Sequence, residues 1–596
     1  MSTDSIGSSR KRHRAPPTDR PSYPRKRAVQ ACHICRQKRI KCDNEHPTCG
    51  SCMRLGVQCI YRENDKSTFD PASITILQRL DTLEGLLRTV LPTGIPCDAT
   101  VSVQSSAVGP LNHLDSPSLE RPNAGAGAGA GYHMNIETAL AWPVFQQQGL
   151  EPRESLCALL QHRQSPSPEL THVPGLEFES SSAREMFHSF LRHVHTYNPV
   201  LEVAEIEQSI RTALFDGFRW DGRSCLLLLI FALGAISGAR PGDTSSDFLR
   251  SDEARKAEQY FVAAQKRLGG LLCQSGVVEA QVFFYAGVYL MATLRPLEAW
   301  RMFVQALACC ETFPSRQPPP AVIHPDEATP QRSIYWTCFK SELELRLELN
   351  VSRSCALDLT YPAFFPTPPL GLKSEQEAVW YYYLAEIALR RLGNRILNHL
   401  YEETGRDRQT QLDATVDFEE QASGLLTSLP ALLDLGAATL HQSPHDHDHD
   451  NEHDQHAPLR FILNGHLIDC YEMMYWPFVV DAIHDTLPPD GVFHNAFVQF
   501  ARKGFAVCVQ RITQNERGFY HRHHGTWLML RSCTRSALVL IAGALRGLTA
   551  LLPVDWMSSV EKVLHLLRYW KDEANDAADR LEVLEGLMEG LAAGGL

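Results

Sequence analysis

The sequence predicts four parts in order: a small metal-bound module, a short coiled coil, a disordered linker and a large all-α helical domain. Three observations predict this. Six of the 17 cysteines crowd between Cys32 and Cys59. A seam of Ile, Leu and Val at alternating steps of four and three follows, from Ile76 to Val90. From about residue 179 onward, apolar stretches rich in Ala, Leu and Glu are broken by Pro or Gly, with no run of alternating β-branched residues between them. A chain of 596 residues with 44% hydrophobic content is long enough for several domains and too apolar to be disordered throughout.

Residues 1–27 read as a basic disordered tail. It carries two clusters, Arg10-Lys11-Arg12-His13-Arg14 and Arg25-Lys26-Arg27, suited to nuclear import or phosphate contact, against the plainer reading of a solvated tail. The N-terminus lacks the apolar core of a secretory signal. The longest apolar run, Cys225–Ala239, falls short of a membrane span. A soluble, intracellular protein with no membrane partner is expected, and the basic clusters point to the nucleus. Residues 1–62 hold 14 Lys/Arg against the four acids Asp4, Asp19, Asp43 and Glu45, whereas the whole chain carries −12. A basic head on an acidic body suggests that the head meets a polyanion.

The cysteines are Cys32, Cys35, Cys42, Cys49, Cys52 and Cys59, spaced C-x2-C-x6-C twice at an offset of 17 residues. In a reducing compartment such a cluster means metal rather than disulfides. Each C-x2-C grips one metal from a tight turn, and zinc favours four soft ligands in a tetrahedron. Three thiolates cannot close such a site alone. Two units can, if two thiolates bridge a pair of zinc ions. A four-cysteine ribbon would leave two cysteines idle, and a RING would need more ligands. So short a segment has almost no core, so metal binding must supply most of its folding energy. Arg36, Lys38, Arg39 and Lys41 crowd the first unit, a density of like charge that an anion would offset. Arg and Lys suit phosphates and the O6/N7 edge of guanine in the major groove of double-stranded DNA.

The segment resembles the fungal zinc binuclear cluster (Zn2Cys6) family of transcription factors. The similar residues are Cys-x2-Cys-Arg-x-Lys-Arg-Ile-Lys-Cys-Asp at 32–43, Pro47, and Cys-x2-Cys-x6-Cys at 49–59. The resemblance implies a Zn2Cys6 DNA-binding domain over 28–62, with Cys32 and Cys49 bridging two zinc ions and Pro47 shaping the loop. It implies that Lys38 and Arg39 read a CGG-type half-site, while Arg36, Lys41 and Arg54 are assigned to phosphate. The second unit, apart from Arg54, is neutral and is expected to brace.

After a spacer at 63–72, residues 73–92 are expected to form a short coiled-coil dimerisation helix, with Ile76, Leu80, Leu83, Leu87 and Val90 on the seam and Pro92 as the stop. Only about two heptads are present, so a single amphipathic helix is the alternative. A homodimer would place two modules on two half-sites. Residues 93–178 read as a disordered linker, with alternating Ala and Gly at 124–131 and three Ser-Pro pairs.

Helical stretches are expected at Ala183–Val194, Ser224–Gly238, Asp252–Leu272, Val277–Leu294, Leu297–Phe313 and Ser333–Glu348. Residues 179–435 also resemble the fungal transcription factor domain called the middle homology region. The similar stretches are Phe187–Val200, Leu297–Trp300, Ile334–Glu344, Tyr361–Pro369 and Trp380–Arg391. This implies an all-α regulatory domain that relays or restrains activity, with a small-molecule effector as one input. HExxH, GxSxG and Walker patterns are absent from the sequence, so no enzyme is expected. Residues 436–458 form a His-rich loop without ordered ligand spacing, read as solvated. The region 459–596 is helical and ends in an acidic-hydrophobic stretch, Tyr569–Leu591, with seven carboxylates. That stretch suits either an activation segment that engages the transcription machinery or a packed terminal helix. The sequence reading is thus a zinc-dependent nuclear activator, or alternatively a repressor or metabolite-sensing regulator without its own activation segment. A pathway gene set, for secondary metabolites or nutrient use, is the expected target.

Overall fold

The computed structural model describes residues 34–35, 38, 42, 48–59, 134–149, 153–161, 180–237, 245–313, 325–351, 366, 374–402, 408–435, 456–489 and 491–593. The chain divides into two units, 1–119 and 120–596. In the first unit the only apolar cluster among the described residues is the cysteines themselves. Cys35, Cys49 and Cys52 are wholly buried, with Ile34 and Val57 packed against them. Helix α1, Gly50–Leu55, begins at Cys49, whose thiol accepts from the Cys52 amide at 3.4 Å. It ends at Gly56, whose φ of 62° is left-handed and so suits a residue without Cβ.

Every regular element described in the second unit is a helix. Its centre is α7 (Gly222–Ser237), with Cys225–Leu233 buried without interruption. A helix apolar on every side must be surrounded. α5 (Ser180–His193), α9 (Asp252–Leu271) and α10 (Val277–Ala292) pack around it. Where α5 crosses α7, a Cβ on Gly234 would fall 1.9 Å from the Met186 carbonyl oxygen, so only glycine allows that approach. α6 (Val203–Asp216) and the short α8 (Ser245–Leu249) flank this group. α11 (Pro296–Cys310) then packs on α10, and α12 (Pro325–Leu349) on α11.

The second half pairs α13 (Ser374–Glu402) with α15 (Ala457–His484), and α15 with α16 (Val492–Asn515); α14 (Arg408–Thr427) lies against α13 and α15. α17 (Thr526–Leu545) follows, then the pair α18 (Trp556–Trp570) and α19 (Asn575–Ala593). α17 is long and apolar enough to cross a membrane, but 83% of its apolar window is buried within the body and it carries Arg531 and Arg535, so it is a core helix.

Within the stretch 93–178, expected as a linker, the described residues include three short helices: α2 (Ile136–Leu140), α3 (Pro143–Gln146) and α4 (Leu156–Gln161). Ile136, Ala139, Trp142 and Phe145 are almost fully buried in the main apolar cluster. Such short helices carry no periodic signal and form only because burial supports them. The apolar residues of the block from 459 onward share one continuous core with those of 183–435. The acidic C-terminal stretch is the packed terminal helix, with Leu581, Leu584, Leu587 and Leu591 buried. The coiled-coil seam and the His-rich stretch 441–455 lie outside the described residues.

Candidate metal centre and nucleic-acid interface

Five of the six expected metal ligands are described, and they come together. The thiols of Cys35, Cys42 and Cys49 lie within 4.8 Å of one another, and so do those of Cys49, Cys52 and Cys59. Cys49 belongs to both groups, as a bridging ligand would. Its sulfur stands 3.6 Å from that of Cys35. A disulfide needs about 2.05 Å, whereas two thiolates on one tetrahedral zinc, each about 2.3 Å from it, stand roughly 3.8 Å apart. The donor set therefore fits zinc. Cys32, the other expected bridge, lies outside the described residues, as do Arg36, Arg39, Lys41 and Pro47.

Lys38 sits in a turn with its amide donating to the Ile34 carbonyl at 2.9 Å, and it is exposed. That i to i−4 bond continues the helical turn begun at Ile34 and Cys35. Arg54 is exposed on α1, its Nε donating to the Gly50 carbonyl at 3.2 Å. Both cations are thus presented to solvent from a scaffold pinned by the cysteines.

The helical body holds a second polar site that reading the sequence missed. A cavity of about 1070 Å³ opens between α12, α13, α15, α16 and α17. An alternating series of charges begins on its wall and continues beyond it to α2 and α19. Lys340 donates to Glu386 at 2.5 Å, and His466 lies 3.5 Å from Glu386 and 3.2 Å from Asp469. Arg511 joins Asp469 to Glu472 at 2.5 and 2.9 Å. Arg535 donates to Glu472 at 2.8 Å and lies 3.8 Å from Glu348. Arg531 donates to Glu348 at 2.6 Å and grips Glu137 of α2 with two bonds, of 2.9 and 2.6 Å. Arg580 of α19 completes the series on Glu137 at 3.0 Å. Burial alone would raise the Glu137 carboxyl, but Arg531 and Arg580 override it and hold it at about 2. On the cavity wall burial depresses His523 to about 3 and His524 to about 4, so both are neutral. Charges inside apolar helices, such as Arg531 and Arg535 four apart in TWLMLRSCTRSALVLIAGAL, were the available sign, since such groups are buried only with partners.

Residues 30–68 match the model of the fungal Zn(2)-Cys(6) binuclear cluster domain. A relative from Aspergillus rugulosus, ecdB, named for a transcription-factor role, is 22% identical over 499 residues, covering 77% of this chain and 80% of the relative. Transcription factor FBD3 of Fusarium pseudograminearum is 38% identical over 61 residues, 10% of this chain and 8% of that one. The depudecin biosynthesis cluster-specific transcription activator DEP6 of Fusarium langsethiae is 31% identical over 101 residues, 17% and 16% of the two chains. The shorter matches span well under two thirds of their relatives. The cysteine module accordingly binds two zinc ions, which supply the folding energy that its small core lacks.

Proposed function

We propose that this DNA-binding transcription regulator acts in the nucleus as a homodimeric activator that reads paired CGG-type triplets. The observation that carries the reading is the double thiol group sharing Cys49, which fixes an exposed basic turn at Lys38 in a module too small to fold without metal. Lys38 and Arg39 read guanine edges; Arg36, Lys41 and Arg54 hold phosphate. Ile76, Leu80, Leu83, Leu87 and Val90 bring two modules onto two half-sites. The body from residue 134 onward is the regulatory domain, receiving a small-molecule effector. The cluster-specific activator among the relatives supports a biosynthetic gene cluster as the target.

Binding-site selection on the zinc-loaded full chain tests this. Enrichment of two CGG-like triplets at one fixed spacing, lost in Lys38→Ala/Arg39→Ala, is the expected result. Salt-sensitive binding with no enriched sequence would overturn it.

One observation favours a second reading, a repressor or regulator without its own activation segment. The acidic C-terminal stretch is folded into the core, with Glu573 paired to Arg522 at 2.6 Å and Asp576 accepting from Trp527 at 2.9 Å. Fusing residues 93–596 to a neutral DNA-binding domain separates the two. Reporter induction supports activation, and silence or repression supports the second.

A further inference from the structure

We propose that the cavity in the helical body binds an uncharged, oxygenated organic molecule with an aromatic or cyclic frame. Three observations select that chemistry. The first is size. At about 1070 Å³ the space exceeds what packing faults leave and matches the upper end of natural small-molecule sites, roughly 300–1,000 Å³.

The second is charge. The cations on the wall are already engaged in ion pairs: Lys340 with Glu386, Arg346 with Glu342, Arg511 with Asp469 and Glu472, and Arg535 with Glu472. Arg390 bonds Glu344 at 3.0 Å and Glu386 at 3.2 Å. An ionic ligand would have to separate such a pair or enter without a counter-charge, and both are costly away from water. A neutral ligand does neither.

The third is a set of neutral polar groups on the wall that lack partners. Asn198 and Asn394 are more than nine-tenths buried, yet the carbonyl oxygen of the first and the amide nitrogen of the second bond to nothing in the protein. His523 behaves likewise at Nε2. Its Nδ1 accepts from the Gly525 amide at 3.0 Å, which places the proton of the neutral ring on Nε2. The wall therefore offers two donors, Asn394 and His523 Nε2–H, and one acceptor, Asn198. Buried groups of this kind are normally satisfied, and their partners here are a ligand's carbonyl and hydroxyl oxygens. Phe284, Phe303, Tyr197 and Tyr382 line the same space and suit a flat frame. Met134 and Asn135, which lead into α2, also line it.

The test uses the zinc-loaded full chain and two fluorescent probes on one frame: 7-diethylamino-4-methylcoumarin, uncharged with a lactone carbonyl, and 7-diethylaminocoumarin-3-carboxylate, its anionic relative. The neutral probe is expected to bind saturably, one per chain, and at least about tenfold more tightly than the carboxylate. Asn394→Ala should weaken it about five- to tenfold, the loss of one buried hydrogen bond. Ser532→Trp and Gly465→Phe project bulk from two wall positions, the second where an added Cβ meets nothing within 4 Å. Either should abolish binding while leaving the helical circular dichroism unchanged. No saturable binding up to about 1 mM, a weak regime even for small ligands, overturns the proposal. Tighter binding of the carboxylate, or binding that survives both blocking variants, does so too. DNA binding is measured separately, so failure here leaves the reading of the zinc module standing.

Discussion

Glu137→Ala should release α2 from the core of the body. The Glu137 carboxylate takes a bidentate grip from Arg531 and a third bond from Arg580, tying α2 to α17 and α19. Its pKa is held at about 2 against an ordinary 4.5. At about 1.36 kcal/mol per unit that shift would be worth roughly 3.4 kcal/mol. The side chain is 33% exposed, so solvent screening lowers this to about 2–3 kcal/mol. The loss should appear locally, because α2 and α3 can lift while the deeper core holds. Amide exchange across residues 135–146 should accelerate about 30- to 150-fold at neutral pH, with exchange in α7 unaltered. The pH dependence has a definite sign. A carboxylate depressed in the folded state stabilises fully above its unfolded pKa, so protection of α2 in the wild type should fall as pH drops from about 4.5 towards 2. Unchanged exchange in Glu137→Ala, or protection that rises with acid, would refute the reasoning.

Further outcomes follow from the same geometry. Chelation of zinc should unfold the cysteine module and abolish DNA binding while the body keeps its helical circular dichroism. Because Cys49 belongs to both thiol groups and Cys59 to one, Cys49→Ser should lower zinc content by mass spectrometry more than Cys59→Ser. Equal losses would refute a shared ligand. Arg54→Ala should weaken binding evenly across sequences and reduce the salt slope by about 1, whereas a change in the selected motif would show that it reads bases. Gly234→Ala sets a Cβ against the Met186 carbonyl and should destabilise the body by about 1–3 kcal/mol in denaturant titration. A neutral result would mean that α5 and α7 separate freely.

Much of this molecule is legible in its sequence where the signal is local. The expected helix Asp252–Leu272 is observed as Asp252–Leu271, and Val277–Leu294 as Val277–Ala292. Both have long apolar patterns, and Gly276 and Pro296 mark where the helices after each of them begin. The thiol groups follow from cysteine spacing alone, since two short repeats must meet to complete a tetrahedral shell. The segment 134–161 was not legible, because its helices of four to six residues are held by contacts far along the chain, Trp142 against Trp476 and His484 and Glu137 against Arg531 and Arg580. The cavity failed for the same reason. Its wall is built from faces of helices far apart in the chain, chiefly α12 and α13, and no window of sequence contains two facing walls.

The charge series from Lys340 to Arg580 also bears on how this protein can change over time. Each interior member serves two neighbours, so replacing Glu472 alone would take one of two carboxylate partners from Arg511 and from Arg535 at once, leaving Asp469 and Glu348 to hold them. A single neutral step is therefore costly at every rung, and reversal of one sign is worse. Drift along this path should proceed by coordinated exchanges, in which an acid and its base are lost or swapped together between lineages. Aligned descendants of this chain should show Glu137 varying with Arg531, and Glu472 with Arg535, as correlated pairs, while the apolar positions beside them wander singly.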